Sequence, residues 1–179
     1  WPGDIDLQQA INETNTINAT VIEFDFLPFA NKVSFDYIFS SEQYLSNPNS
    51  NQCSYSDGFA FLLKEVGSQD QYTNLAVVPG TAIPVKVPTV RGAGTICPSA
   101  NEAYFDAFNG IEHPTNYNGQ TKILKAESLV TPGVLYHIKL VIADQGNNLY
   151  DSAIFLGGGS FTVETELGDD RLIANGNPL

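Results

Sequence analysis

Glu42, Asp57, Asp144, Asn147 and Asp151 are the residues whose type and setting could do chemistry. Each of the four carboxylates stands where a strand-like run gives way to a polar loop, so a rigid sheet edge could hold it at a rim. Calcium takes about six to eight oxygen ligands, and no single segment of this chain offers so many. A calcium site would therefore have to converge from separate loops. The loop opening at Asp144 is not an EF-hand, because Phe155 stands where the bidentate Glu of that motif is required. The competing reading is a set of polar turns, which Asn, Gly and Asp favour for backbone reasons alone.

Hydrolytic chemistry finds less support. His113 and His137 are the two histidines, and no Gly-x-Ser-x-Gly elbow accompanies them. His137 lies on the non-core side of a strand-like run and His113 precedes Pro114, which suits surface histidines. Paired carboxylates for glycoside cleavage are set by spatial separation, which a sequence does not reveal. The run Gly157-Gly-Gly-Ser160 lacks the lysine and following helix of a phosphate loop, so a bulge or tight turn is expected there.

The elements that must position these side chains read mostly as β. Tyr136, Ile138, Leu140 and Ile142 alternate with His137, Lys139 and Val141, the period-two signature of a half-buried strand. A second short strand is predicted from Asp151 to Leu156, so the pair frames the Ala143–Tyr150 loop. The same alternation occurs at Thr20–Phe26 and at Val33, Phe35, Tyr37 and Phe39. Further strands are expected at Gly58–Leu63, Asn74–Val78, Thr121–Ala126 and Ser160–Glu166. Ile83–Val90 contains Pro84 and Pro88, which demotes it to an edge strand. Asp4 can cap a short helix running to Ile11. Arg91–Gly119 is the least regular section. About nine or ten short strands behind one helix predict an all-β sandwich of jelly-roll type, spanning 1–166, with a linker-like tail over 167–179 leading to a following domain.

Composition narrows the class further. The 179 residues carry 8 basic and 20 acidic side chains, a formal charge of −12, with 42% hydrophobic residues. That is enough chain for one domain with a sizeable core. The acidic excess argues against a nucleic-acid partner and against docking on anionic lipid. No apolar run reaches transmembrane length, and the opening Trp-Pro-Gly-Asp is not read as a signal peptide. Cys53 and Cys97, both in polar loops, are predicted to form one disulfide between the 40–57 and 91–119 sections, consistent with an exported protein.

An ordered set of segments carries a family resemblance. It comprises Gly3-Asp-Ile-Asp-Leu7, Thr20-Val-Ile-Glu-Phe-Asp-Phe26, Ser34-Phe-Asp-Tyr-Ile-Phe-Ser-Ser-Glu-Gln-Tyr44, Asp57-Gly-Phe-Ala-Phe-Leu62, Asn74-Leu-Ala-Val-Val-Pro-Gly-Thr81, Tyr117-Asn-Gly-Gln-Thr-Lys-Ile-Leu-Lys-Ala126 and the whole of Tyr136–Leu156. In this order the chain resembles the choice-of-anchor L domain of large exported surface proteins of Bacteroidota and other bacteria. Two positions depart from the pattern: Gln43 stands where many members have Glu, and Asn147 where many have Asp. The resemblance implies an extracellular or cell-surface setting and assigns no catalytic activity.

The reading that follows is a non-catalytic binding module of a large adhesin-like protein. It would be calcium-stabilised and glycan-binding, with the loop tyrosines Tyr44, Tyr55, Tyr104 and Tyr117 exposed for stacking on sugars. Its partners would be a glycan or cell-surface ligand and the neighbouring domains of the same protein. A structural spacer in a surface stalk is the alternative. A glycosidase or esterase is a third reading and requires two facing carboxylates or a Ser-His pair in a pocket.

Overall fold

In the computed structural model, which describes residues 1–166, 173–174 and 177–178, the alternation at Tyr136 becomes a central strand. Two antiparallel sheets face one another. The first has the order β1 (Thr16–Phe26), β8 (Tyr136–Gln145), β3 (Gly58–Glu65), β4 (Thr73–Asn74). The second is organised on β2 (Lys32–Ser41). Along one side β2 pairs with β6 (Gly119–Thr121) and β7 (Leu124–Leu129), with β5 (Phe105–Phe108) beyond β6. Along its other side lie β9 (Ser152–Leu156) and β10 (Thr162–Glu164). A short two-stranded ladder, β11 (Ile173–Ala174) with β12 (Asn177–Pro178), follows. The rest of the expected 167–179 linker lies outside the described residues. The all-β sandwich expected from the periodicity is the fold.

Alternation decides what each face buries. Phe35, Tyr37 and Phe39 of β2 meet Phe59 and Phe61 of β3 and Ile138 of β8 in the space between the sheets. Ring centroids there lie 4.8 Å apart for Phe39–Phe59 and for Tyr37–Phe61, the first stacked and the second edge-on. Such pairs add roughly 0.5–1.5 kcal/mol each beyond the area they bury. The outward face of β3 is also covered. Helix α1 (Ile5–Ile11), capped by the Asp4 carboxylate on the Leu7 amide at 2.8 Å, lays Leu7 and Ile11 on Ala60, Leu62, Val141 and Ala143. A Cβ at Gly58 would come within 2.4 Å of Ile11 Cδ1, so glycine permits the helix to sit this close. Burial on both faces is why β3 reads as a continuous apolar run rather than an alternation. Lys139, on the same covered face, is buried and paired with Asp4 at 2.6 Å and Asp6 at 2.7 Å. Burial alone would lower its pKa, but the two carboxylates outweigh it and hold the ammonium charged.

Several strands differ from expectation, each for a local reason. The Asn74–Val78 strand shrinks to Thr73–Asn74, because the Asn74 side-chain oxygen takes the Phe61 amide at 3.2 Å and the Ala76 amide at 2.9 Å. Ile83–Val90 is no edge strand. After a single bridge between Val77 and Pro84 it turns back, with the Val90 amide on the Lys86 carbonyl, while Val85, Val87 and Val90 still fill the core. The irregular 91–119 section contains β5, whose four residues are too few to show a period. The expected Ser160–Glu166 strand keeps only Thr162–Glu164.

Cys53 and Cys97 are disulfide-bonded across a sequence separation of 44. The bond joins a 3-10 turn at Ser50–Ser54 to the 91–119 section, as predicted. Buried Arg91 reinforces the same junction by donating to the Leu45 carbonyl at 2.8 Å, with its guanidinium over the Phe108 ring. Among the described residues no helix is long and apolar enough to cross a membrane.

Candidate functional site: an acidic cleft at the end of the sandwich

The sheet ends bring three of the five predicted oxygen ligands to one place. Asp57 precedes β3, Asp144 lies near the end of β8 and Asp151 immediately precedes β9. Together with Asn18, Thr20, Tyr117, Ile142 and Ser152 they border a cleft of about 320 Å³. The juxtaposition follows from pairing, since β8 runs between β1 and β3 with Ala143 opposite Gly58 and Asp144 opposite Ile17.

Asp57 is the deepest of the three, at 1% exposed. Its Oδ1 accepts from Gln43 Nε2 at 3.2 Å and its Oδ2 from Ser152 Oγ at 2.6 Å. The Gln43 amide oxygen in turn accepts the Asp57 backbone N–H at 2.9 Å. Burial pushes the Asp57 pKa up to about 6, with Asp144 and Asp151 adding to the shift and the Ser152 hydroxyl opposing it. Asp144 Oδ2 accepts from Asn18 Nδ2 at 2.9 Å. Asn18 holds a left-handed backbone, φ 55°, at the irregularity where β1 shifts register against β8. A short polar side chain tolerates that conformation.

The other two predicted ligands do other work. Glu42 clasps the two loops: its Oε2 accepts the Asp151 amide at 3.0 Å, while its own amide donates to the Asp151 carbonyl at 2.9 Å. The Asn147 side chain accepts the Leu149 amide at 3.0 Å and shapes its own turn beyond the cleft. Among the described residues no three acidic, histidine or cysteine side chains group closely enough to hold a metal ion. The donor set thus suits a hard cation in kind, being all oxygen, and falls short of one in number.

The tyrosines divide as sharply. Tyr44 was expected to stand exposed, yet it is fully buried. Its ring packs on Phe39 and Phe105 and its hydroxyl donates to the Val90 carbonyl at 2.8 Å. The 40–57 loop folds inward there because this large ring completes the core. Tyr104 is half-buried against that core, and Tyr55 is exposed away from the cleft lining. Tyr117 alone borders the acidic cleft, its ring edge-on to Phe155 at 6.2 Å. Burial raises its pKa, and Asp151 and Glu42 raise it further.

Gln43 stood out in the sequence only as a departure from the family pattern, and Asn18 and Ser152 did not stand out as site residues at all. Asn18 and Ser152 carry no composition signal, and only the opposition of strands in register reveals them. The two histidines are engaged elsewhere: His113 Nδ1 meets Thr115 Oγ1 at 3.1 Å, and His137 Nδ1 meets Asp25 at 2.6 Å.

The raised Asp57 pKa has a measurable consequence. Between about pH 4 and pH 6 the folded chain keeps a proton at Asp57 that the unfolded chain has already lost. Its contribution to stability is therefore present at the acid end of that window and is lost as pH rises through it. The wild-type melting temperature, taken relative to Asp57→Asn, should fall across the window and level off above it. A difference that stays constant with pH would show that Asp57 does not titrate there.

No curated protein and no solved structure significantly matches the chain. The sequence profile of the Choice-of-anchor L domain matches residues 1–162, which takes in the helix, the acidic cleft and both sheets as far as the first residue of β10. The chain belongs to the choice-of-anchor L domain family.

Proposed function

We propose that this domain is a non-catalytic binding module of a larger surface protein, and that the acidic cleft is its ligand site. Domains of this family are surface-associated parts of larger proteins. The observation that carries the reading is the gathering of Asp57, Asp144, Asp151 and Tyr117 on the ends of rigid strands, away from either histidine. Carboxylates crowded in this way repel one another and attract a cation. We propose calcium, held at the cleft mouth by Asp144 and Asp151 with backbone carbonyls and water completing its shell, Asp57 adding charge from beneath and Glu42 holding the two loops together behind them. A glycan lying on Tyr117 would complete the ligand, since a ring and a set of carboxylates together suit a hydroxyl-rich partner.

Melting in excess calcium and again in EGTA tests the cation. At a hundredfold excess over Kd, calcium should stabilise by about 2.7 kcal/mol. That corresponds to a rise of roughly 5–10 °C for a domain of this size. Asp151→Ala should abolish the rise. Equal midpoints in the two buffers would remove calcium from the proposal, and a glycan array giving no signal in either would favour the structural spacer.

A further inference from the structure

The acidic cleft is one end of a longer trench. Thr20 and Ile142 border both the cleft and an adjoining apolar hollow of about 150 Å³, which Ile22, Leu140, Ile154 and Leu156 also line. Leu140 and Leu156 pass the trench on to a third hollow of about 190 Å³, walled by Phe24, Phe35 and Phe161. It runs along the open side of the sandwich, between β1 at the edge of one sheet and β9 at the edge of the other. Ile22 is 58% exposed, Phe24 41%, Leu156 47% and Phe161 40%. Contiguous apolar exposure of this kind, rimmed by polar groups, marks an interaction surface.

Among the described residues the trench is bordered by unpaired backbone. Trp1 and Pro2 cover the outer side of β1 only at its start, accepting the Asn18 and Ala19 amides at 3.1 and 3.0 Å. From Thr20 to Phe26, among the described residues, β1 pairs with β8 alone. That leaves an edge of about 20 Å with alternate N–H and C=O groups directed outward. The two edges also agree in direction, since Thr20 and Ser152 lie at the acidic mouth while Phe24 and Leu156 lie at the aromatic end.

We propose that this trench binds an extended polypeptide segment of a partner, added antiparallel to β1. The segment has apolar residues at alternate positions and a basic residue near its C-terminal end. Strand addition supplies main-chain hydrogen bonds, and alternate side chains read the pockets beneath. An antiparallel strand enters at Phe24 and Phe161 and finishes among Asp57, Asp144 and Asp151, so its last residues meet negative charge. The inference goes beyond the acidic-cleft reading and shares only its three carboxylates. Calcium bound there would compete with the basic end and weaken the peptide.

The probe is a fluorescein-labelled hexapeptide of alternating threonine and valine followed by two lysines, amidated at its C-terminus and titrated with the whole domain in EGTA. Saturable binding is expected. It should weaken by at least about tenfold when the lysines become glutamates, when the valine amides are N-methylated, or in Ile22→Lys. Ile22 is exposed, so that variant should melt like the wild type. Asp144→Asn with Asp151→Asn should weaken the lysine peptide and leave the glutamate peptide no weaker. Absence of binding at millimolar peptide, equal binding of the N-methylated or glutamate peptide, or occupation of the trench by a second copy of the chain would each overturn the proposal. Peptide binding without any calcium effect on melting sinks the cation reading alone. Calcium stabilisation with a silent peptide sinks the trench reading alone.

Discussion

Phe59→Ala is expected to cost about 3–5 kcal/mol, as befits a large ring truncated at the centre of the core. Phe59 is completely buried and its ring meets Phe39 at 4.8 Å, Phe61 at 5.6 Å and Tyr37 at 5.9 Å. It comes from one sheet while Phe39 and Tyr37 come from the other, so the ring is part of what holds the layers together. Removing it forfeits transfer energy, three aromatic contacts and the packing around a cavity too enclosed to collapse. Urea unfolding of the disulfide-intact protein measures the loss, and Leu129→Ala, at an exposed position on β7, serves as the comparison. That second change should stay within about 0.5 kcal/mol. A Phe59→Ala cost below about 1 kcal/mol would contradict the placement of this ring between the sheets.

Replacing both Cys53 and Cys97 by serine should cost about 4 kcal/mol. The bond closes a loop with a sequence separation of 44, and chain entropy alone gives that magnitude. The effect should also be local. The 40–57 loop carries Glu42, Gln43 and Tyr44, so its loosening reaches the Asp57 carboxylate and the Asp151 clasp. Hydrogen exchange should therefore quicken at Ser50–Ser54 and at Glu42 more than in β3 or β8. A double variant within 1 kcal/mol of wild type, or two free thiols in denatured, unreduced protein, would rule out the staple.

How far the sequence carried these conclusions depended on the range of the interaction involved. Alternation at Tyr136–Ile142 and at Val33–Phe39 identified the two strands on which the sheets are built, because side chains of a strand alternate between faces whatever else surrounds them. The Asp4 cap and the Leu7 and Ile11 face of the helix were legible for the same local reason. Two prolines pointed to an edge strand at Ile83–Val90, and the segment forms no strand at all. They could not reveal that the segment turns at Lys86–Thr89 and still fills the core.

The candidate site was legible in residue type and not in arrangement. Asp57, Asp144 and Asp151 were identifiable as carboxylates at strand ends, yet nothing local separated them from Glu42 and Asn147. Their convergence depends on β8 lying between β1 and β3, a pairing between residues more than a hundred positions apart for Asn18 and Asp144. Tyr44 shows the same limit from the other side, since a polar loop sequence concealed a fully buried ring. The chain by itself determined its β character, its disulfide and its acidic charge, because periodicity, cysteine placement and charge are properties of short stretches or of sums. Which carboxylates share a cleft, which tyrosine faces solvent and where, among the described residues, an edge strand stays open were decided only by tertiary structure, since each depends on the register in which distant strands meet.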